Sequence, residues 1–101
     1  MEITVTGRHP SITASMRSYA EDKIRKVSRI FDRLSSARVT LEVQGVDHRA
    51  EASIHGPRGA VLIAHATAAD MTGALDQLEN RLERQLRKLK TKIEGHRLLR
   101  T

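Results

Sequence analysis

The chain has no cysteine and no tryptophan, and a single tyrosine and phenylalanine among its 101 residues. Without Cys there is no disulfide, no thiol nucleophile and no thiolate-bound zinc, and a reducing cytosol is the default compartment. Tyr19 and Phe31 cannot supply the several rings on which RNA-recognition motifs and single-strand binders stack bases. No apolar run reaches about 18 residues, so no membrane-spanning helix is expected. The opening Met1-Glu2-Ile3-Thr4-Val5-Thr6 lacks the basic start and apolar stretch of a signal peptide. GxSxG, P-loop, Rossmann and HExxH patterns are also missing. The carboxylates Glu42 and Glu51, on neighbouring predicted strands, are expected to pair with Arg49 and Arg38 rather than to do acid–base work. The composition therefore argues against an enzyme, a cofactor and a small-molecule substrate.

What the chain does have is cationic charge, unevenly placed. The formal net charge is +6. Residues 1–80 carry ten basic and ten acidic side chains, whereas residues 81–101 carry eight basic and two acidic ones. The whole excess lies in the last fifth of the chain. A polyanion is the implied partner, either nucleic acid or an anionic membrane.

The hydrophobic pattern predicts six elements in the order β-α-β-β-β-α. Residues 2–6 read as a strand, and Gly7-Arg8-His9-Pro10 as a turn. A helix over 13–32, capped by Thr13 or Ser11, gathers Met16, Tyr19, Ala20, Ile24, Val27, Ile30 and Phe31 within an arc of roughly 120°. Strands follow at Ala37–Gln44, His48–His55 and Ala60–Thr67, joined by Gly45-Val46-Asp47 and by Gly56-Pro57-Arg58-Gly59. The last strand is apolar on both parities, which predicts cover on part of both faces. A long helix begins at Asp70 as N-cap and ends at Gly95 as a C′ residue. Its Met71, Leu75, Leu78, Leu82, Leu86, Leu89 and Ile93 are spaced 4, 3, 4, 4, 3 and 4 apart. Gly73 in its first turn points to close packing or to nothing in particular. The expected architecture is α+β, one four-stranded antiparallel or mixed sheet with both helices on one face. Residues 1–95 form the single domain and 96–101 a short, frayed basic tail.

On the second helix, Arg81, Arg84, Lys88 and Lys92 fall between about 180° and 260° from Leu75. Asp76, Glu79, Glu83 and Glu94 fall between about 40° and 100°. A merely solubilising surface would intersperse the signs, although Glu83–Arg87 also suits an ordinary i,i+4 pair. Cations one to two turns apart can follow a phosphate backbone. Between residues 17 and 38, seven basic side chains stand against three acidic ones. Lys26, Arg29 and Arg33 share a flank there. Lys23 lies inside the apolar arc, either as a snorkelling stem or as a phosphate contact in a groove between the helices. Arg8 and His9 on the first turn are further candidates for phosphate or ribose. The five histidines have no metal-ligand spacing; His55 and His65 could face each other across a hairpin, but two ligands do not make a zinc site.

These residues resemble the ribosome hibernation-promoting factor family, which includes the ribosome-associated inhibitor. The resemblance runs through Ile3-Thr4-Val5-Thr6-Gly7-Arg8-His9, Ile12-Thr13 and Tyr19-Ala20-Glu21-Asp22-Lys23 with Lys26. It is strongest at Ala69-Asp70-Met71, Ala74-Leu75-Asp76 and the run Leu82-Glu83-Arg84-Gln85-Leu86-Arg87-Lys88-Leu89-Lys90. Thr72 and Gly73 replace what is commonly an aromatic and a small residue. The resemblance implies a fold similar to a double-stranded-RNA-binding domain and binding to ribosomal RNA of the small subunit. There the protein would occupy the messenger RNA and tRNA channel, block translation and favour hibernation in stress or stationary phase. It also implies that Lys23, Lys26, Arg84, Arg87, Lys88 and Lys90 contact RNA; Arg29, Arg81 and Lys92 join them by helix geometry. The chain ends at Thr101 without a dimerisation domain or long acidic tail and so resembles a short, cytoplasmic form, monomeric when free. The rival readings are a general double-stranded RNA or DNA binder, and a second helix that pairs with a copy of itself. The second helix carries no bulky aromatic on its stripe, which weakens the membrane alternative.

Overall fold

A computed structural model describes the backbone of residues 1–99 and the side chains of residues 1–95. The elements are β1 (Glu2–Gly7), α1 (Ala14–Ser28), β2 (Ser36–Gln44), β3 (Asp47–His55), β4 (Val61–Ala68) and α2 (Met71–Leu99). The sheet order is β1-β2-β3-β4. β1 runs parallel to β2, and the other two pairings are antiparallel. The sheet is thus mixed, with α1 as the crossover that a parallel pair requires.

Register explains why one face is the core. Val5, Val39, Ala52 and Ala64 form one row across the sheet. Ile3, Ala37, Ile54 and Leu62 form the next inward-facing row. From β2 to β4, Ala37, Val39, Leu41, Ala50, Ala52, Ile54, Ala64 and Ala66 are buried. α2 lies over β3 and β4, and α1 lies over β1 and against α2. The alanines of β3 and β4 let the large side chains Leu75, Leu78, Leu82 and Leu86 of α2 approach the sheet and become fully buried.

The capping signals act as their chemistry suggests. The Thr13 hydroxyl accepts the Met16 N–H at 3.1 Å, and Asp70 Oδ1 accepts the Gly73 N–H at 2.6 Å. Gly73 is closely packed: a Cβ there would lie 3.1 Å from Asp70 Oδ1 and 3.3 Å from the Ala68 Cβ, so those neighbours would have to give by a few tenths of an ångström. Gly45 adopts φ 62°, which a two-residue hairpin loop between Gln44 and Asp47 demands at its first position. Asp47 therefore belongs to the strand rather than to the loop.

Four expectations are corrected. α1 stops at Ser28, not at residue 32. Arg29, Ile30 and Phe31 donate to the carbonyls of Lys26, Val27 and Ser28, so the chain tightens into i→i+3 turns while Phe31 remains in the core. α2 does not end at Gly95 but continues to Leu99. The Arg and Leu residues downstream are good helix formers, and glycine stops a helix only where it turns left-handed. Residues 96–99 of the expected tail are therefore helical, and the remainder lies outside the described residues. β4 is an edge strand covered on one face only, with Val61 47% and Ile63 59% exposed. Lastly, His55 pairs with Val61, and His65 pairs with Glu51, so the two histidines do not face each other.

Gly7 joins β1 to the turn before α1. A Cβ there would stand 2.7 Å from Ile12 Cγ2, and Ile12 is itself buried. Gly7→Ala should lower stability by about 1–3 kcal/mol by overpacking, read as a reduced denaturation midpoint with unchanged m-value.

Candidate nucleic-acid interface

The site is built on the contact between the helices. Tyr19 reaches Asp76, Lys23 reaches Glu79, and Arg29 and Arg33 line a groove with Lys90 and Glu94. These contacts advance together along both helices, so α1 and α2 run side by side in the same direction. Their basic C-terminal halves lie at the same end of the molecule. The β3–β4 turn is at that end too, because its Gly56 sits against Leu34 and Leu89.

An ion cluster sets the rotation of α2. The Lys23 ammonium lies 3.0 Å from Asp76 Oδ1 and 3.3 Å from Glu79 Oε1. It is also 5.0 Å from the Tyr19 ring centre, within reach of the ring's negative face. The Tyr19 hydroxyl donates to Asp76 at 2.6 Å. The side chains of Lys23 and Glu79 are only 18% and 11% exposed. Burial opposes the Lys23 charge, but Asp76, Tyr19 and Glu79 outweigh it and raise its pKa above the ordinary lysine value. The Tyr19 hydrogen bond, then Lys23, holds the Asp76 carboxyl below its ordinary value of 3.8. The same bond to Asp76 raises the Tyr19 phenol.

This arrangement accounts for the segregated charge on α2. The acidic flank that carries Asp76 and Glu79 turns inward to α1. The opposite flank is left outside, and Arg84, Lys88 and Lys92 are exposed there with no carboxylate partner among the described residues. Arg87 is exposed but bonds Glu83 at 2.8 Å. Lys90 turns toward the end of α1, into the groove it shares with Arg29 and Arg33. On α1, Lys26 is exposed with its ammonium 3.7 Å from Glu79 Oε2, which has no hydrogen bond of its own. Arg29, the C-cap of α1, is exposed.

Some expected members are placed elsewhere. Lys23 is taken up by the ion cluster, which is neither a free snorkelling stem nor an open phosphate contact. Arg81 donates to the His65 carbonyl, and Gln85 donates to the Ile63 carbonyl at 3.0 Å. Both side chains thereby cap the outer edge of β4. Arg8 and His9 are exposed but lie at the far end of the sheet, since Gly7 pairs with Leu41 whereas the opposite end of β2 begins at Ser36. Arg8 bonds Glu42 at 3.3 Å, and Arg49 bonds Glu51 at 2.9 Å. Glu42 therefore pairs with Arg8 instead of Arg49 or Arg38. His9 Nδ1 accepts the Ser11 N–H at 3.1 Å, so the neutral ring carries its proton on Nε2. Sequence reasoning missed Asp76, Glu79 and Tyr19 as the partners of Lys23. The available signal was a lysine within an apolar arc and an acidic flank on the other helix.

Residues 3–94 match the model of a family described as sigma 54 modulation protein / S30EA ribosomal protein. The ribosome hibernation promoting factor of Azotobacter vinelandii is 37% identical over 92 residues, covering 91% of this chain and 85% of that one. That of Escherichia coli K12 is 35% identical over 96 residues, covering 95% and 100%. Among solved structures, a ribosomal subunit interface protein from Coxiella burnetii superposes with a TM-score of 0.82 at 27% identity, covering 90% of this chain and 99% of that one. The Protein Y N-terminal domain of Thermus thermophilus superposes with a TM-score of 0.77 at 32% identity, covering 88% and 99%.

Two outcomes test the ion cluster. Lys23→Ala should cost about 2–3 kcal/mol, because it leaves Glu79 charged and poorly solvated. The double variant Lys23→Met with Glu79→Leu should recover most of that loss in urea denaturation. Because the folded pKa of Asp76 is depressed, its contribution is present above its ordinary value of 3.8 and is lost as pH falls through the lower folded value. Asp76→Asn should therefore flatten the acid decline in stability below its ordinary value of 3.8 and leave the profile at higher pH unchanged.

Proposed function

The chain belongs to the sigma 54 modulation protein / S30EA ribosomal protein family, and from that premise we propose that it is a ribosome-binding hibernation factor. It binds ribosomal RNA of the small subunit, occupies the path of messenger RNA and tRNA, and inhibits translation without catalysis. The hibernation-promoting names of its relatives support the first part of this reading. The observation that carries it is the outward basic flank of α2 beside Lys26 and Arg29 of α1, presented at one end of a rigid body.

The mechanism is steric and electrostatic. Arg84, Arg87, Lys88, Lys90 and Lys92 stand on a helix whose opposite side is anchored in the core by Leu78, Leu82 and Leu86. Little order is lost when they meet phosphates, because the helix is already fixed. Contacts of this kind position the protein and carry no base sequence. Selectivity for the ribosome then comes from the shape of the RNA channel and the spacing of its phosphates. The described helices include none long and apolar enough to cross a membrane. We place the protein in the cytoplasm, as a monomer when free.

Replacing Arg84, Arg87, Lys88 and Lys90 together with Ala should abolish co-sedimentation with ribosomes while thermal unfolding stays cooperative. Any residual binding at low salt should show a logarithmic salt dependence shallower by roughly three units. Equal affinity of the wild-type chain for ribosomes and for an arbitrary RNA duplex at the same salt would favour the general duplex binder instead.

A further inference from the structure

The β3–β4 turn contains an arginine where the backbone would favour another residue. Arg58 has φ 59° and ψ 32°, the left-handed region, and is followed by Gly59 at φ 73°. Glycine or asparagine would occupy position 58 with less strain. The Gly56 N–H donates to the Ala60 carbonyl at 2.9 Å and the Ala60 N–H to the Pro57 carbonyl at 3.1 Å, so the turn is held from both sides. An arginine kept at such a position is exposed and unpaired among the described residues.

What it faces is informative. Between this turn and the C-terminal half of α2 lies an open groove of about 320 Å³, lined by Pro57, Arg58, Ala60, Leu89, Lys92 and Ile93. Its floor is apolar, its rim carries two cations, and its lining contains no carboxylate. The neighbouring groove on the other side of Ile93 has three cations but also Asp32 and Glu94. The first groove continues the exposed flank of Arg84, Lys88 and Lys92. Its size is at the lower end of ligand pockets, fit for one nucleotide and not for a helix.

We infer that this groove is a second RNA contact, which takes a single unstacked nucleotide. Arg58 and Lys92 bind the flanking phosphates, and the base rests on Leu89, Ile93 and Pro57. This rests on the ribosome-binding reading above and extends it to a turn that the helices alone would not include. It also gives this aromatic-poor surface a way to hold a base, because apolar side chains take the place of the missing rings. The strain at Arg58 is then a cost in stability retained for a contact.

The test compares wild type, Arg58→Asn and Lys92→Gln for binding to purified ribosomes and for thermal stability. Asn tolerates the left-handed backbone, so Arg58→Asn should unfold at the same temperature or higher. Each variant should bind about five- to tenfold more weakly, with a salt slope lower by about one unit. Chemical probing of the ribosomal RNA should show protection lost at one nucleotide or two adjacent ones, with the rest of the footprint intact. Unchanged affinity and slope, or protection weakened evenly across the footprint, would overturn the groove while leaving the ribosome reading in place. A concentration-dependent doubling of mass that Lys92→Gln abolishes would also overturn it, by assigning the groove to a second copy. Failure of the wild-type chain to bind ribosomes would remove both readings.

Discussion

The ion pair between Lys23 and the carboxylates of Asp76 and Glu79 is the constraint from which the exposed basic surface follows. α2 is amphipathic in two senses, apolar against polar and acidic against basic. The leucine stripe turns the helix toward the sheet, with Leu75, Leu78, Leu82 and Leu86 fully buried. The contact with Lys23 acts in the same sense, because a lysine and glutamate this poorly solvated are costly apart. Once Glu79 faces α1, the helical period carries Arg84 and Lys88 to the outside. A stabilising pair within the fold and an exposed cationic flank are thus two results of one rotation. The parallel course of α1 and α2 adds the cations of α1 to the same end.

The sheet supports this arrangement by remaining one-sided. Its inner face uses alanine on β3 and β4 so that α2 can approach closely, while β4 keeps an exposed outer face at Val61 and Ile63. An exposed edge strand of this kind invites pairing with another chain. Here two α2 side chains, Arg81 and Gln85, bond its outward carbonyls. The same helix therefore packs the core, closes the sheet edge and presents the basic flank, with successive residues around its circumference assigned to each task.

Most of the fold was legible because the chain buries one face only. Val39, Leu41 and Val43 alternate with polar residues in β2, and the leucines of α2 repeat at helical spacing, so both periods stand out. The ends were less visible. Ile30 and Phe31 keep the spacing of α1 after its backbone has tightened, because their side chains still seek the core. Gly95 resembles a stop but has helix formers on both sides. The outer face of β4 misled for another reason: Val61 and Ile63 are apolar without being covered. At the site, exposed cations on a helix flank were readable from position alone. The partners of Lys23 were not, since Glu79 is 56 residues away and only the packing of the helices brings them together. Arg81 looked like its neighbours on the wheel, and only the position of β4 distinguishes it.

One structural explanation of the basic run can be weighed directly. Cations near the C-terminus of a helix offset its macrodipole, so a lysine- and arginine-rich end need not signal a partner. That effect is confined to the last turn. α2 is helical at least as far as Leu99, and Lys90 lies nine residues earlier, about two and a half turns back. Arg84, Arg87 and Lys88 are further still. Neutralisation within the protein accounts for Arg87, which bonds Glu83, but not for Arg84 and Lys88, which have no carboxylate partner among the described residues. Mutual repulsion along the flank makes their clustering unfavourable to the isolated fold. A polyanion would lower that repulsion on binding, and the ribosomal RNA proposed above would do so with phosphates already fixed in place.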